Sequence, residues 1–442
     1  MSEAGLNDLS GRWVRMLSES ARRNSTLHGQ FLQMRQGSLQ DLSALIAMQI
    51  HSLQASQPMM GRPAARQVLF DQRQIKAFGT GKISDCFGPG YARYDQRRIP
   101  RIPNGDLSMM SRIVAITGRP HEFDHPASIV AEYDVPADAW YLRDNAYPQV
   151  PASLYMEIAL QPCGFLSAYL DSYALVPYEH FYFRNLDGNS RILARVDVRG
   201  KTIQTEARML SSVVSGGTVI QKFAFGLSCE GQVIIEGESL FGYFSAESMD
   251  HQLGLDGGRL VLPEFRENAS LARSAMRIET APLRAPRPGR PYYRLPQGQL
   301  SFLDQVFFDR TGGRYGRGYV YARRPVRSDD WFYACHFYQD PVMPGSLGIE
   351  AILEAMQAAV FSGVDVDGLR PDHFGMAPCE EPVRWRYRGQ ITPLNEVMEL
   401  EVHLGQVERK AGGAVLTGDA SLWVDSLRIY EINHIVLGIF EG

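Results

Sequence analysis

A chain of 442 residues, 45% hydrophobic and 21% charged, exceeds the roughly 250 to 300 residues at which one core stops growing, and should fold as at least two units. Its formal charge of −4 excludes a bulk electrostatic attraction to nucleic acid or lipid, and the composition excludes wholesale disorder. Five scattered cysteines form no zinc-binding pairs and suit a reducing cytoplasm; no secretory leader is visible and no run approaches the roughly 18 apolar residues that cross a bilayer, so neither secretion nor membrane insertion is expected.

In chain order, the first 25 residues are polar and irregular. Leu27, Phe31, Met34, Leu42, Leu45, Ile46, Ile50 and Leu53 then recur at helical spacing. That spacing predicts an amphipathic helix, either part of a helical arm or linker over residues 1–60 or packed on its own domain. QASQPMMGRP (54–63) breaks the pattern. Beyond it the chain repeats itself. LSMMSRIVAIT begins at Leu107 and LSFLDQVFFDR at Leu300, while PASLYMEIALQ and PGSLGIEAILE carry Glu157 and Glu350; both pairs are 193 positions apart (300 − 107 and 350 − 157). Trp140 and Trp331 are 191 apart, a difference that two residues in a turn absorb.

Each copy runs through a short strand, a tryptophan-bearing turn, a proline-rich turn, one long apolar helix and several strands. Alternation is clear in EVMELEVHLGQV, where Met398, Leu400, Val402 and Leu404 share a face, and in GTVIQKFAFGLS of the first copy. A helix that is apolar nearly all round must be surrounded, and a curved antiparallel sheet wrapped about it does so. The expected fold is therefore α+β: a double hot-dog, two antiparallel sheets each around a long central helix. The expected boundaries are 61–250 for the first unit, 251–292 for a linker containing APLRAPRPGRP, and 293–442 for the second unit.

The motif HFYQDPVMPG (336–345) stiffens the backbone twice beside a lone histidine and hands over to the helix containing Glu350. With its flanks, from LSFLDQVFFDRTGGRYGRGYV through RYRGQITP to the C-terminus, it closely resembles FabA-like β-hydroxyacyl-acyl-carrier-protein dehydratases. The first copy, with PNGDLSMMSRIVAITG, VAEYDVPADAWY and MEIALQPCGFLSAYL, is similar to the partner half of the dehydratase domains in polyunsaturated fatty acid synthases.

The residue types fit that resemblance. Eliminating water from a 3-hydroxyacyl thioester needs a base for the α-proton, an acid for the departing hydroxyl and donors for the thioester oxygen. His336 can be the base, being available as neutral imidazole near pH 7. Asp340, Pro341 and Pro344 would fix its loop, and Gly345 lets a helix N-terminus approach a developing oxyanion. Glu157 and Glu350 each sit in an apolar helix, where a carboxyl tends to keep its proton. Sequence separation does not choose between them. The resemblance implies a histidine from one unit and an acid from the other, hence His336 with Glu157. Anchored on the tryptophans, Asn145 stands where the second copy has His336 and cannot act as a base; the mirror pair of Asn145 and Glu350 should be silent. Glu350 is carried as a further candidate, with a structural acid as the alternative. Gln161, four residues after Glu157, could orient the hydroxyl or Glu157 itself.

Plainer readings accompany several motifs. The other nine histidines are read as core or surface residues, and Cys335 as a small buried side chain rather than a nucleophile. GTGKIS (79–84) lacks the spacing of a phosphate loop. The arginines of RYDQRRIPR (93–101) and RWRYRGQ (384–390) could meet an acidic carrier protein or form a solvated face. Pro162 should interrupt the first helix.

The expected activity is dehydration of (3R)-3-hydroxyacyl chains on acyl carrier protein to trans-2-enoyl chains, without metal or redox cofactor, the substrate riding on phosphopantetheine. Some relatives also isomerise the double bond, and the sequence leaves that open. Implied partners are acyl carrier protein and other synthase domains or subunits, with no nucleic acid or membrane; the chain would be a pseudo-dimer in itself, and association into homodimers is left open. The rival readings are a hot-dog thioesterase or hydratase and a non-catalytic acyl-binding module of a megasynthase.

Overall fold

Alternating burial shapes the strands. In β5 (Thr218–Cys229) inward residues such as Phe223, Phe225 and Leu227 take turns with outward ones, the period-two pattern of a sheet with one face on a core. The structure, a computed structural model, describes residues 67–215, 218–366 and 368–442; the expected N-terminal helix lies outside the described residues.

The first half contains β1 (Arg112–Thr117), β2 (Ala127–Asp134), β3 (Phe181–Ile192), β4 (Thr202–Ser215), β5 and β6 (Gln232–Ser245), paired in the order β1-β2-β4-β5-β6-β3. A short strand β7 (Met276–Glu279) precedes the second half. That half contains β8 (Gln305–Asp309), β9 (Tyr319–Pro325), β10 (Pro371–Gly375), β11 (Val383–Tyr387), β12 (Val397–Lys410), β13 (Gly413–Val424) and β14 (Leu427–Glu441). From the middle outward its order is β11-β14-β13-β12-β9-β8-β7, with β10 also on β14. Apart from β7 and β10, this mirrors the first half. Every pairing is antiparallel. Within each half lies one long helix: α1 (Ala152–Tyr169) and α2 (Gly345–Phe361). The expected double hot-dog is the observed architecture.

The two sheets join edge to edge through β3 and β11, where Trp385 faces Gly188. A Cβ on Gly188 would lie 2.1 Å from the Trp385 ring, so only glycine lets the indole cross there. Its Nε1 donates to the Asn185 side chain at 2.8 Å. The repeat register is visible in matched contacts: Trp140 Nε1 donates to the Asp106 carbonyl at 3.0 Å, and Trp331 Nε1 to that of Gln299 at 3.1 Å. The two indoles meet edge to face, 5.1 Å between centroids. A pseudo-twofold axis therefore relates the halves.

Two local features depart from simple expectation. The segment expected as a linker, 251–292, supplies β7 on the sheet edge and a chain that covers the outer face of β12. There Glu399 accepts from Tyr321 Oη (2.5 Å) and Arg266 (2.9 Å), and Glu401 from Tyr319 Oη (2.7 Å) and the Glu264 N–H (2.8 Å). These carboxylates can be buried because each is multiply hydrogen-bonded. Pro162 sits inside α1 without ending it. Having no N–H, it leaves the Ile158 carbonyl free, and Thr205 Oγ1 of β4 donates to that oxygen at 3.3 Å.

Candidate active site

α1 and α2 both begin directly after a proline, Pro151 and Pro344, with no side-chain cap. Their first N–H groups have no acceptor within the helix and carry its positive dipole end. The second residue of each helix start is a serine, and each serine reaches into the other half. Ser346 Oγ donates to Glu157 at 2.6 Å, and Ser153 Oγ donates to Glu350 at 2.6 Å. Two buried acids are thus held in equivalent positions across the pseudo-axis.

Of the two, Glu157 lines a cavity that also holds His336. That cavity, of about 260 Å³, is lined by His336, Glu157, Gln161, Gly345, Ser346 and Tyr387 on its chemical side, with Phe183, Phe241, Leu160 and Met156 among its apolar walls. Of the five residues singled out from sequence, the structure brings His336, Glu157, Gly345 and Gln161 together. Glu350, 3% exposed, does not line this cavity.

His336 follows the short helical turn Trp331–Ala334, and its loop closes on itself: Val342 N–H donates to the His336 carbonyl at 2.7 Å, and Phe337 and Asp340 exchange backbone hydrogen bonds. The imidazole Nδ1 lies 3.0 Å from the Val342 carbonyl. A carbonyl only accepts, so Nδ1 carries the hydrogen and Nε2 keeps its lone pair. Burial lowers the imidazole pKa to about 4; the Val342 carbonyl opposes that shift, Arg184 adds to it and Asp340 opposes it. At neutral pH the ring is uncharged, with Nε2 free.

Asp340 holds the loop from outside. Its carboxylate takes a two-pronged hydrogen bond from Arg184 on β3, 2.7 and 2.8 Å, and Arg184 Nε donates to Gln390 at 2.7 Å. The histidine loop of the second half is thereby clamped to a strand of the first. Arginines of the two basic motifs are likewise engaged: Arg101 donates to the Phe78 and Gly81 carbonyls, and Arg388 to Asp187 at 2.9 Å.

Glu157 accepts from Ser346 and, at 3.2 Å, from Gln161 Nε2. Burial raises its pKa and those two donors only partly offset this. Gln161 is itself fixed, its Oε1 accepting from the Met109 N–H at 3.0 Å and its Nε2 donating to the Leu107 carbonyl at 2.8 Å. In the second half Glu354 takes the equivalent place, accepting from the Phe302 and Leu303 N–H groups and from Arg284 at 2.6 Å. Gln161 is therefore a brace for Glu157 and for the chain entering β1.

In the first half the place of the imidazole is taken by Asn145. Its Nδ2 donates to the Gln149 carbonyl at 3.0 Å, reproducing the Nδ1–H to Val342 bond without a free basic nitrogen. Sequence reasoning missed the serine pair, Arg184 and Tyr387. The serines were legible in the repeat, as the matched PAS and PGS at the start of each helix; Arg184 carried no signal, and Tyr387, though within the quoted RYRGQITP, was not singled out, since both lie on strands that only folding brings to the cavity.

The family model of the FabA-like domain matches residues 295–433. The second half is thus similar to a FabA-like domain. Its match spans β8 and β9, the histidine loop, α2 and most of the later strands. One of the polyunsaturated fatty acid synthase subunits of Thraustochytrium sp. is 34% identical over 385 residues, covering 83% of this chain and 26% of that protein; the chain thus spans about a quarter of the length of that relative. Among solved structures the chain is similar to the dehydratase domain from the CurJ module of curacin polyketide synthase (TM-score 0.41, 13% identity, covering 74% of this chain and 96% of that one). It is also similar to the bifunctional dehydratase-cyclase domain in ambruticin biosynthesis (TM-score 0.39, 13% identity, 76% and 96%). Among the described residues no helix is long and apolar enough to cross a membrane.

Proposed function

We propose that the chain dehydrates 3-hydroxyacyl thioesters carried on acyl carrier protein to the trans-2-enoyl thioester, acting in the cytoplasm within a fatty acid or polyketide-type synthase. The observation that carries this reading is one cavity holding a neutral imidazole with a free Nε2 from one half and a buried acid of raised pKa from the other.

In this reading His336 Nε2 takes the α-proton. The electron pair left on the α-carbon spreads onto the thioester oxygen, which accepts from the Gly345 N–H at the positive end of α2. Collapse of that enolate expels the 3-hydroxyl as Glu157 protonates it, giving one water. The step leaves an imidazolium facing a carboxylate, opposite charges that attract in a poorly screened cavity, and proton return from the first to the second resets the site. Atoms balance with the substrate, two side chains and water, so the reaction as drawn calls on no metal or redox cofactor. The phosphopantetheine arm is the substrate's own.

The test is mass spectrometry of carrier-bound 3-hydroxyacyl chains of several lengths after exposure to the protein. Loss of one water is expected, and His336→Ala should slow it by about 10²- to 10⁴-fold, the range typical of acid–base groups. Release of free carrier thiol would mean hydrolysis, and an unchanged mass would mean a binding module; either overturns the reading.

A further inference from the structure

The N-terminal turn of α2 carries glycines at its first and fourth positions, and each makes room for an aromatic ring. A Cβ on Gly345 would lie 2.7 Å from the Tyr387 ring, and one on Gly348 would lie 2.6 Å from the Tyr430 ring. The two tyrosines are register partners on β11 and β14, with ring centroids 4.4 Å apart. Two tilted rings thus pack against the helix end, whose first residues, Gly345 and Ser346, line the cavity.

Tyr387 is 6% exposed, and its hydroxyl finds no hydrogen-bond partner among the described residues. Burying a hydroxyl unpaired is costly, so such a group in a cavity wall points to a ligand atom that completes it. Its Oη lies 3.2 Å from the point where a Cβ on Gly345 would sit, close to the backbone N–H assigned to the thioester oxygen. Burial, then Tyr430 and Glu157, push the phenol well above its usual value. It therefore keeps its hydrogen and serves as a donor.

We propose that Tyr387 is a second oxyanion donor, its hydroxyl hydrogen-bonding the thioester carbonyl oxygen alongside the Gly345 N–H. This rests on the dehydratase reading and deepens it. A carbonyl held between a helix-end N–H and a phenol is polarised before the α-proton leaves. The same pair would select substrates whose carbonyl is a thioester at that depth.

The variant is Tyr387→Phe, which keeps the ring and removes only the unpartnered oxygen, so its thermal midpoint should equal or exceed the parent's. Loss of one oxyanion donor typically costs about 10²- to 10³-fold in kcat, and that loss is expected with KM within about twofold. A second readout needs no turnover: the infrared band of a ¹³C-carbonyl saturated acyl-pantetheine thioester, which lacks a hydroxyl to lose. In the parent this band should shift to lower frequency on binding, and in Tyr387→Phe the shift should shrink. Parent-like kcat, an unchanged band shift or a variant that fails to fold would each overturn the proposal. If the parent shows the band shift yet forms no enoyl product, the dehydratase reading fails while the donor assignment stands.

Discussion

At the scale of single residues, the two halves differ where chemistry demands it and agree where structure does. His336 and Asn145 donate to matching carbonyls, of Val342 and Gln149, so the loop is preserved in both. Only imidazole adds a basic nitrogen on its far side. Because burial lowers the His336 pKa to about 4 from an ordinary 6.5, the acid limb of kcat/KM should fall near pH 4, with activity at pH 5.5 close to that at pH 7. A pH–rate profile with its acid limb near 6.5 would contradict this. The stability consequence has a definite sign. Between about pH 4 and 6.5 the unfolded chain holds the proton that folded His336 refuses, so this residue's contribution makes stability rise with pH across that window. Glu157 works in the other direction: burial raises its pKa, the folded state keeps a proton the unfolded state releases, and stability is lost as pH rises above 4.5. Glu157→Gln should therefore cut turnover by about 10²- to 10⁴-fold while its thermal midpoint holds or rises at neutral pH. The amide can accept from Gln161 and donate to Ser346, whose hydroxyl can reverse its role. Glu350→Gln should be much milder in turnover, and equal losses would refute the cross-half pairing.

At the scale of elements, the histidine loop is positioned less by its own prolines than by the strand beside it. The Asp340–Arg184 pair joins a loop of the second half to β3 of the first, both side chains mostly shielded, 15% and 12% exposed. Removing one partner of such a pair leaves a charge stranded, at a cost of about 3–5 kcal/mol, whereas removing both avoids that penalty. Asp340→Ala should therefore lower both kcat and the denaturation midpoint, and Arg184→Ala combined with Asp340→Ala should lose less stability than the sum of the single changes. A double-mutant cycle by chemical denaturation measures this; strict additivity would show that the pair is not a clamp. α1 illustrates the same dependence on neighbours. Pro162 would weaken an isolated helix, yet here the carbonyl it frees is met by Thr205 on β4.

At the scale of the whole molecule, a near-twofold scaffold places His336 and Glu157 in one cavity. The mirror position keeps its acid, its serine and its helix end, but Glu350, which accepts from Ser153, does not line the cavity that holds His336. Restoring a histidine there should not restore chemistry: Asn145→His combined with Glu157→Gln is expected to be as slow as Glu157→Gln alone, read by the same enoyl-forming assay. Recovery of activity would mean that the second site is closed only by its missing base.

The amino-acid order by itself determined the duplication, the two apolar helices, the histidine–proline turn and the pair of buried acids, because each depends on residues near one another along the chain or on a repeat with a constant offset. The resemblance of the second half to FabA-like domains was legible for the same reason, its motifs being contiguous. Tertiary structure alone decided which acid shares a cavity with His336, that Glu264 and Arg266 of the 251–292 segment pack on β12, and that Arg184 and Tyr387 line that cavity. Those outcomes depend on strands pairing across the β3–β11 seam and on side chains more than a hundred positions apart finding hydrogen-bonding distance. Local periodicity holds no record of such encounters, since many registers bury the same apolar face and only the packed molecule selects one.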